Sequence, residues 1–577
     1  MSRTNSSLGG SSLWRLQAGL AAVLPPLIAF NPPPPATFFN QAPAVIGWGA
    51  WLLVIAGALP GPPRRVDRGV AALIAALGIV ALAALLGPGL TGLPTSLAYS
   101  SAGMVLAAML AVGVGSAAAG AGRSGEAFGA LAVGLLVAGL ASSAIGIVQV
   151  FFPELADGTW IAASSNPGVA IGNLRQPNHL STLLMWAIVA AVWLGESGRL
   201  RRGLAFAAAL LMLFVVVLTA SRTGLAGALL LALWGAVDRR LMGRTRWLLV
   251  ALPLLYAAFW WGMGWWAQHA HTAFAGEAKL SAARAAADSR WKIYADSIAL
   301  IRQEPWFGVG FGEFNFAWSL SPFPNRPIAF FDHTHNLPLQ LAVELGMPLA
   351  MLICALLLYA LWRVAALAWR ETAHAPPARA ASVIVWMAAL HSLLEYPLWY
   401  AYFLLPCAFA FGLALGWSEG ESTLRHAGPW RAGAIASLVL MLLGAASLVD
   451  YTRVVAIFAP GDDAAPLEQR IASGQRSVLF AHHADYAAAT TTDPPSQAMA
   501  SFAVASHYLL DTRLMMAWAD AYAQSGDLDR ARHIAARLRE FRNPDAKEYF
   551  APCAEKIEPV PYQCEPPTRA LGWRDFR

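Results

Sequence analysis

The residues best suited to chemistry are Asp332-His333-Thr334-His335-Asn336, a polar run closing a long non-hydrophobic connection in an otherwise apolar chain. An imidazole titrates near neutral pH. Positioned as a general base toward a hydroxyl, it contributes about 10² to 10⁴ in rate. Two other readings stand beside this one. The histidines could be an interfacial pair capping the helix that begins near Leu337, or Asp332, His333 and His335 could bind a metal from an extended segment. No other ligand cluster accompanies the metal reading.

Further polar groups stand where lipid alone would want none. Asn173, Arg175, Gln176, Asn178 and His179 surround Pro177, which suits a first helical turn. Ser221-Arg222 occupies a tight turn between two apolar stretches, and Arg290 lies in the long connection. An arginine at membrane depth costs about 2.5 to 3.5 kcal/mol, which asks for an anionic partner. Each arginine alone could reach a phospholipid headgroup. Three on the side of the histidine pair point instead to a bound phosphate, because guanidinium forks grip phosphate oxygens in pairs and stay charged. His391 and Glu395, four apart, share a helical face near the outer end of an apolar stretch. They either support the site or simply close the helix end.

The elements that must hold these groups are set by composition. The chain has 577 residues, 57% hydrophobic and 13% charged, with mean hydropathy +0.50. Its apolar residues fall in long unbroken runs, too apolar for a soluble multidomain protein. Only helices or closed barrels satisfy their backbone in lipid, and the run lengths exclude barrels. The expected fold is all-α and polytopic, with about 13 membrane helices of about 20 residues each. They lie near 13 to 30, 43 to 60, 69 to 87, 98 to 118, 127 to 152, 178 to 195, 203 to 219, 222 to 237, 246 to 266, 338 to 362, 381 to 398, 400 to 417 and 432 to 456.

Basic residues give the orientation, since cytoplasmic loops retain Lys and Arg. One set of alternate connections carries Arg64, Arg65 and Arg68, then Arg123, then Arg199, Arg201 and Arg202, then Arg239, Arg240, Arg244 and Arg246, then Arg363, Arg370 and Arg379, then Arg425 and Arg431. The other short connections hold only Arg175 and Arg222. The N-terminus is therefore expected inside and the C-terminal segment outside. The pI of 9.2 follows from loop arginines rather than from a nucleic-acid surface. Arg3 and Arg15 precede an apolar stretch that runs into Phe30-Asn31-Pro32 without a small-x-small cleavage pattern, so it reads as an uncleaved anchor.

The domains expected are 1–266, N-terminal membrane helices; 267–337, an external catalytic loop; 338–456, C-terminal membrane helices; and 457–577, an external helical region. In the loop, 277 to 303 reads as an Ala-rich helix stopped by Glu304-Pro305, and Gly308-Val309-Gly310-Phe311-Gly312 as a flexible turn. No strand precedes that turn and no P-loop lysine follows, so it is no nucleotide site. In the tail, Trp518 to Ala531 reads as helix, glycine turn, helix, resembling one tetratricopeptide-like hairpin. It needs the helices expected around 464 to 488 and 496 to 512 to cover its apolar face. The tail either caps the membrane part or docks a partner. Of four cysteines, Cys354 and Cys407 read as buried small hydrophobes, while Cys553 and Cys564 are placed to pair in an exported compartment.

Arg175-Gln176-Pro177-Asn178-His179-Leu180, Ser221-Arg222-Thr223-Gly224, Pro305-Trp306-Phe307-Gly308-Val309-Gly310-Phe311-Gly312, His333-Thr334-His335-Asn336 and His391-Ser392-Leu393-Leu394-Glu395-Tyr396-Pro397-Leu398, in this order, resemble the O-antigen ligase and polymerase superfamily. They are most similar to the bacterial protein O-oligosaccharyltransferases of the PglL or pilin-glycosylase type. The resemblance spans nearly the whole chain and implies a GT-C-like membrane enzyme of the bacterial inner membrane. It implies transfer of a preassembled glycan from undecaprenyl pyrophosphate to a Ser or Thr hydroxyl of a periplasmic or pilin-like protein, without a nucleotide sugar. His335, directly before Asn336, corresponds to the family's base, and Arg222 and Arg290 to its pyrophosphate-holding arginines. Arg175 is expected to help them, with His333, Asn336, Asn178, His179, Ser221, His391 and Glu395 in support. Because fixed arginines supply the positive charge, the reading calls for no metal or other cofactor. A lipopolysaccharide O-antigen ligase, a Wzy-like polymerase and a lipid-linked glycan transporter are the competing functions. A transporter would place its charges near the midplane, often in repeated halves.

Overall fold

The computed structural model describes residues 7–59, 66–270, 274–328, 330–369, 375–416, 430–555 and 558–577. Arg3, Arg64, Arg65, Arg370 and Arg425, used above for orientation, lie outside the described residues, as does the side chain of Arg15. The helices are α1 (Ser7–Leu27), α2 (Phe38–Ala58), α3 (Arg68–Leu90), α4 (Thr95–Gly120), α5 (Ser124–Phe151), α6 (Pro177–Glu196), α7 (Arg202–Leu218), α8 (Arg222–Val237), α9 (Gly243–Ala270), α10 (Ala275–Gln303) and α11 (Phe314–Leu320). They continue with α12 (Leu337–Leu345), α13 (Met347–Ala368), α14 (Ala375–Ser392), α15 (Ala401–Leu415), α16 (Arg431–Phe458), α17 (Leu467–Gly474), α18 (Ala481–Thr491), α19 (Met499–Ala505), α20 (Thr512–Gln524) and α21 (Leu528–Phe541). No strand occurs among the described residues.

Eight of these helices, α2 to α6, α9, α13 and α16, are long and apolar enough to cross a membrane, and Gln17–Leu27, α7, α8 and α15 are shorter apolar helices. This all-helical architecture is that of a polytopic membrane protein. Two of the expected spans are differently bounded. The stretch from 338 to 362 is broken at Gly346, whose φ of 77° ends α12 before α13 begins. The stretch from 381 to 398 stops at Ser392, because Pro397 ahead cannot continue a helix and restricts the residue before it.

The chain divides into two compact units, the first comprising Met1–Leu77, Leu106–Ala283 and Leu356–Ala446, and the second Gly78–Val105, Arg284–Ala355 and Ser447–Arg577. In the first, α6 is the central helix: it packs against α5, α7, α8 and α14, and every side chain from His179 to Gly195 is buried. A helix apolar on all sides can be stable only when so surrounded. Small residues permit the approach. A Cβ on Gly139 would stand 2.4 Å from the Ala187 methyl, and one on Gly235 of α8 would stand 2.5 Å from Leu249 of α9.

The helix ends of this unit sort into two chemical sets. At one end Asp67 pairs with Arg363, Asp238 with Arg379 at 2.9 Å, and Arg199 donates to the Gly125 carbonyl at 3.0 Å. These belong to the arginine-bearing connections. At the other end the partners are Asn, Gln, Ser and Glu: Asn173 donates to the Leu27 carbonyl at 2.7 Å and Asn178 to Glu395 at 2.9 Å.

The second unit holds a large apolar core and a smaller cluster of Ile457, Ile471, Ala484, Ala487 and Ala488. Ile293 and Leu300 of α10, Val309, Phe314 to Leu320 of α11 and Val343 of α12 are buried together with Phe502, Leu514, Met515, Trp518, Ile534, Leu538, Phe541, Trp573 and Phe576. The long connection and the tail thus share a single hydrophobic interior. Within it α20 and α21 form the expected hairpin. Asp511 caps α20 by accepting the Leu514 N–H at 2.8 Å, Gly526 turns the chain at φ 84°, and Asp527 caps α21. The hairpin meets α18, and α11 also packs on α21. Arg326 is fully buried between them: it donates to the carbonyls of Trp318 and Ser321 and pairs with Glu540 at 3.1 Å. Cys553 and Cys564 are joined by a disulfide.

Candidate active site

Three of the segments singled out by sequence share one backbone device. Arg175, Ala220 and His335 have φ of 58°, 48° and 57°, three of the four positive values at non-glycine residues among the described residues. Each directly precedes a helix N-cap. The caps are Gln176, Ser221 and Asn336, whose side chains accept the N–H of His179 at 2.9 Å, Gly224 at 3.2 Å and Leu339 at 3.1 Å. An L-residue in this region costs about 1 to 2 kcal/mol and persists only where its surroundings enforce it, often at functional sites. The chain spends that strain three times to bring a residue against a capped helix start, where anions are favoured.

In the first unit the side chain of Asn178 is the junction. Its amide donates to Glu395 and its carbonyl oxygen accepts the Ser221 hydroxyl at 2.6 Å, while Ser181 donates to Ser221 at 3.2 Å. Ser221 is also the cap of α8, so Arg222, exposed at the first position of that helix, is set by the same network. A Cβ on Gly224 would stand 2.6 Å from Val216, which is why the segment after Arg222 ends in glycine. Arg175 is half-buried and donates to the Ala29 carbonyl at 2.7 Å, so one arm of its fork is already engaged.

His391 and Glu395 do not share a helical face. Helix α14 ends at Ser392, and Glu395 lies in the following turn with its N–H on the His391 carbonyl at 2.8 Å. Each reaches α6 separately: Glu395 meets Asn178, and His391 Nδ1 lies 2.8 Å from the Thr182 hydroxyl. His179 is buried among aromatic rings, 4.5 Å from that of Tyr400, with the Tyr402 hydroxyl 3.2 Å from its Nδ1. Gln149, also buried, grips the loop before Arg175. It donates to Ala162 at 2.7 Å and accepts from Ile171 and Gly172 at 2.9 and 2.8 Å. Thr182, Tyr402 and Gln149 were not singled out by sequence, and their only signal is polarity inside long apolar runs.

In the second unit His333 Nδ1 lies 3.0 Å from Asp332, and the His335 ring meets the edge of Phe331 at 5.4 Å. Desolvation raises the Asp332 carboxyl, but His333 beside it and then His335 outweigh this and hold it down at about 2. The Thr334 N–H donates to Gln340 at 2.7 Å, and Gln340 donates to Glu344 at 2.9 Å, so the segment is tied to α12 along one face. Asp332, His333 and His335 do not form a metal-holding trio: no group of three His, Cys, Asp or Glu suited to a metal occurs among the described residues. Arg290 is half-buried on α10.

The glycine run is packed rather than flexible. Val309 and Gly310 donate to the Val343 and Glu344 carbonyls at 2.8 and 2.9 Å, and Met347 donates to Pro305 at 2.8 Å. A Cβ on Gly308 would stand 2.5 Å from Glu344 backbone, and one on Gly346 2.3 Å from the Trp306 carbonyl. Two chain segments touching backbone to backbone leave no room for side chains.

The chain is similar to known protein families over three stretches. Residues 207–354 match the O-antigen ligase family, residues 379–551 the C-terminal part of a virulence-factor membrane-bound polymerase family, and residues 170–194 the protein glycosylation ligase family. Over these stretches the chain is similar to the O-antigen ligase family and, at 170–194, to the protein glycosylation ligases. A curated relative, the general O-oligosaccharyltransferase of Acinetobacter baylyi, is 28% identical over 257 residues, 42% of this chain and 43% of the relative. The match therefore spans less than half of that protein's length. The stretch at 170–194 contains Arg175, Asn178 and His179, and the one at 207–354 contains Arg222, Arg290, His333, His335 and Asn336.

Proposed function

We propose that the protein transfers a preassembled oligosaccharide from undecaprenyl pyrophosphate to Ser or Thr hydroxyls of periplasmic or pilin-like proteins. It does so as a multi-pass enzyme of the bacterial inner membrane, with its N-terminus cytoplasmic and its chemistry and tail periplasmic. The observation that carries this reading is the similarity to a general O-oligosaccharyltransferase. The strained, capped placement of His335, Arg175 and the residue before Ser221-Arg222 supports the choice of residues.

In the proposed reaction His335 takes the proton of the acceptor hydroxyl as its oxygen bonds to the anomeric carbon. The bond from that carbon to the pyrophosphate oxygen breaks, and undecaprenyl pyrophosphate departs with the electron pair. Arg222 and Arg290, helped by Arg175, stabilise the charge left on the pyrophosphate. A single displacement inverts the anomeric configuration, and the arginines make a divalent ion unnecessary. Turnover lost in EDTA and restored by a divalent ion would count against this.

The test is mass spectrometry of periplasmic proteins from cells expressing wild type or His335→Ala. A glycan mass on Ser or Thr that disappears in the variant supports the reading, and its persistence defeats it. The match of residues 207–354 to O-antigen ligases favours, as a second reading, the same chemistry on a lipid A core acceptor. Purified protein offered lipid-linked donor with a pilin-like protein or with lipid A core separates the two.

A further inference from the structure

Helix α10 is apolar on two opposite faces. Ile293 and Leu300 point into the core of the second unit, while Trp291, Ala295 and Ile298, spaced at i, i+4 and i+7, are exposed, with Trp291 70% and Ile298 43% open. Arg302 continues the outer face and is itself exposed. Just beyond, Trp306 and Phe307 are 71% and 87% exposed, among the largest open apolar side chains of the unit. They cannot fold inward. Their backbone is fixed by the Gly308 and Gly346 contacts and by the Met347 N–H on the Pro305 carbonyl at 2.8 Å.

That last bond places the Trp306-Phe307 turn beside the first residue of α13, a helix long and apolar enough to cross a membrane. The start of α13 also exposes Met347, Met351 and Leu352, so its open apolar surface continues into the turn. Tryptophan is enriched where a helix leaves the hydrocarbon, and a helix with an apolar outer face ending in arginine lies in the interface plane, with the guanidinium reaching the headgroups.

We propose that the outer face of α10 and the Trp306-Phe307 turn rest in the bilayer interface at the end of α13, forming an in-plane membrane anchor for the segment that carries Arg290. The occupant is bulk lipid, because the surface is continuous with the lipid-facing side of a membrane helix. The anchor stands apart from the transfer chemistry and holds whether or not that reading survives.

The experiment places a nitroxide at Ile298→Cys or Phe307→Cys, with Glu468→Cys, an exposed position on α17, as reference. The full chain carries Cys354→Ala and Cys407→Ala and is reconstituted in phosphatidylethanolamine and phosphatidylglycerol vesicles. Power saturation then compares collisions with oxygen, which concentrates in lipid, and with a water-soluble nickel chelate. Oxygen access several-fold above nickel access at 298 and 307, with the opposite order at 468, is the expected result. Nickel access at 298 and 307 equal to that at 468 overturns the proposal in favour of a water-exposed face. Exclusion of both reagents overturns it in favour of a protein cover, a second copy or a partner. Both labelled side chains point outward, so the variants fold, and an unchanged thermal transition in the same vesicles verifies this.

Discussion

The Asn178 carbonyl oxygen accepts the Ser221 hydroxyl at 2.6 Å, which ties the first turn of α6 to the cap of α8 and thereby to Arg222. Removing that junction displaces a charged group without touching it. Asn178→Ala is expected to lower glycosyl transfer by about 10- to 100-fold, the usual effect of a misplacement near 1 Å. Donor titration and single-turnover assays on the purified variant measure it. Transfer and donor affinity both at wild-type levels would show that the junction positions nothing.

His335 is held at φ 57°, a conformation glycine adopts without strain. His335→Gly is therefore expected to leave thermal stability unchanged or slightly raised while abolishing transfer. A calorimetric scan beside an activity assay reads both. Loss of stability together with activity would assign the imidazole a structural role.

Gly308 and Gly346 pack against each other's neighbouring backbone, each at positive φ. Gly346→Ala is expected to destabilise the second unit by about 2 to 4 kcal/mol, from backbone strain and a forced contact together. The shift in unfolding midpoint of the purified protein measures this. Gly526→Ala, where nothing lies within 4 Å, should cost only the positive-φ strain and so shift the midpoint less.

Arg326, fully buried in the shared core, pairs with the partly buried Glu540. Arg326→Leu removes the guanidinium from the Trp318 and Ser321 carbonyls, while Glu540 keeps Arg537 at 2.7 Å and the Phe323 N–H at 3.0 Å, so the expected loss is about 1 to 3 kcal/mol for each buried carbonyl left unpaired. Limited proteolysis should find α11 and α21 cleaved together in this variant. Cleavage confined to one of them would show that the two are not one cooperative element.

Buried imidazoles in the tail make the second unit acid-sensitive. Burial lowers His483 to about 3 and His533 to about 4 from the ordinary 6.5, and it also depresses His482 well below that value. The unfolded chain binds protons that these folded imidazoles refuse, so their contribution to stability is fully present above about pH 6.5 and is lost as pH drops toward 4, against the opposite contribution of Glu344, raised by burial to about 7. Thermal midpoints measured across that window check the sign. His483→Gln should flatten part of the slope.

The polar segments were legible because charged and amide groups at membrane depth are costly, so Arg175, Asn178, Ser221-Arg222 and His333 to Asn336 stood out against their apolar surroundings. Their partners were not. Thr182, Gln149 and Tyr402 look like ordinary helix residues until the fold brings them to His391, the 160–172 loop and His179. Glu395 was misjudged because spacing alone cannot show that a helix has already ended at Ser392. The left-handed turn at His335 leaves no mark in residue type, since glycine rather than histidine is the usual sign of it.

Helix positions followed from hydropathy, and the break at Gly346 did not, because a glycine within an apolar run is ordinary in membrane helices. The merging of the long connection with the tail was also invisible. It rests on contacts between residues far apart in sequence, such as Trp318 with Phe541 at a ring separation of 5.4 Å.

Trp573 and Phe576 complete the interior that holds Phe314 to Leu320. Those aromatic side chains leave the ribosome long after the segment they cover. Until those side chains are made, Phe314 to Leu320 lack part of their apolar cover, so this core closes late in synthesis.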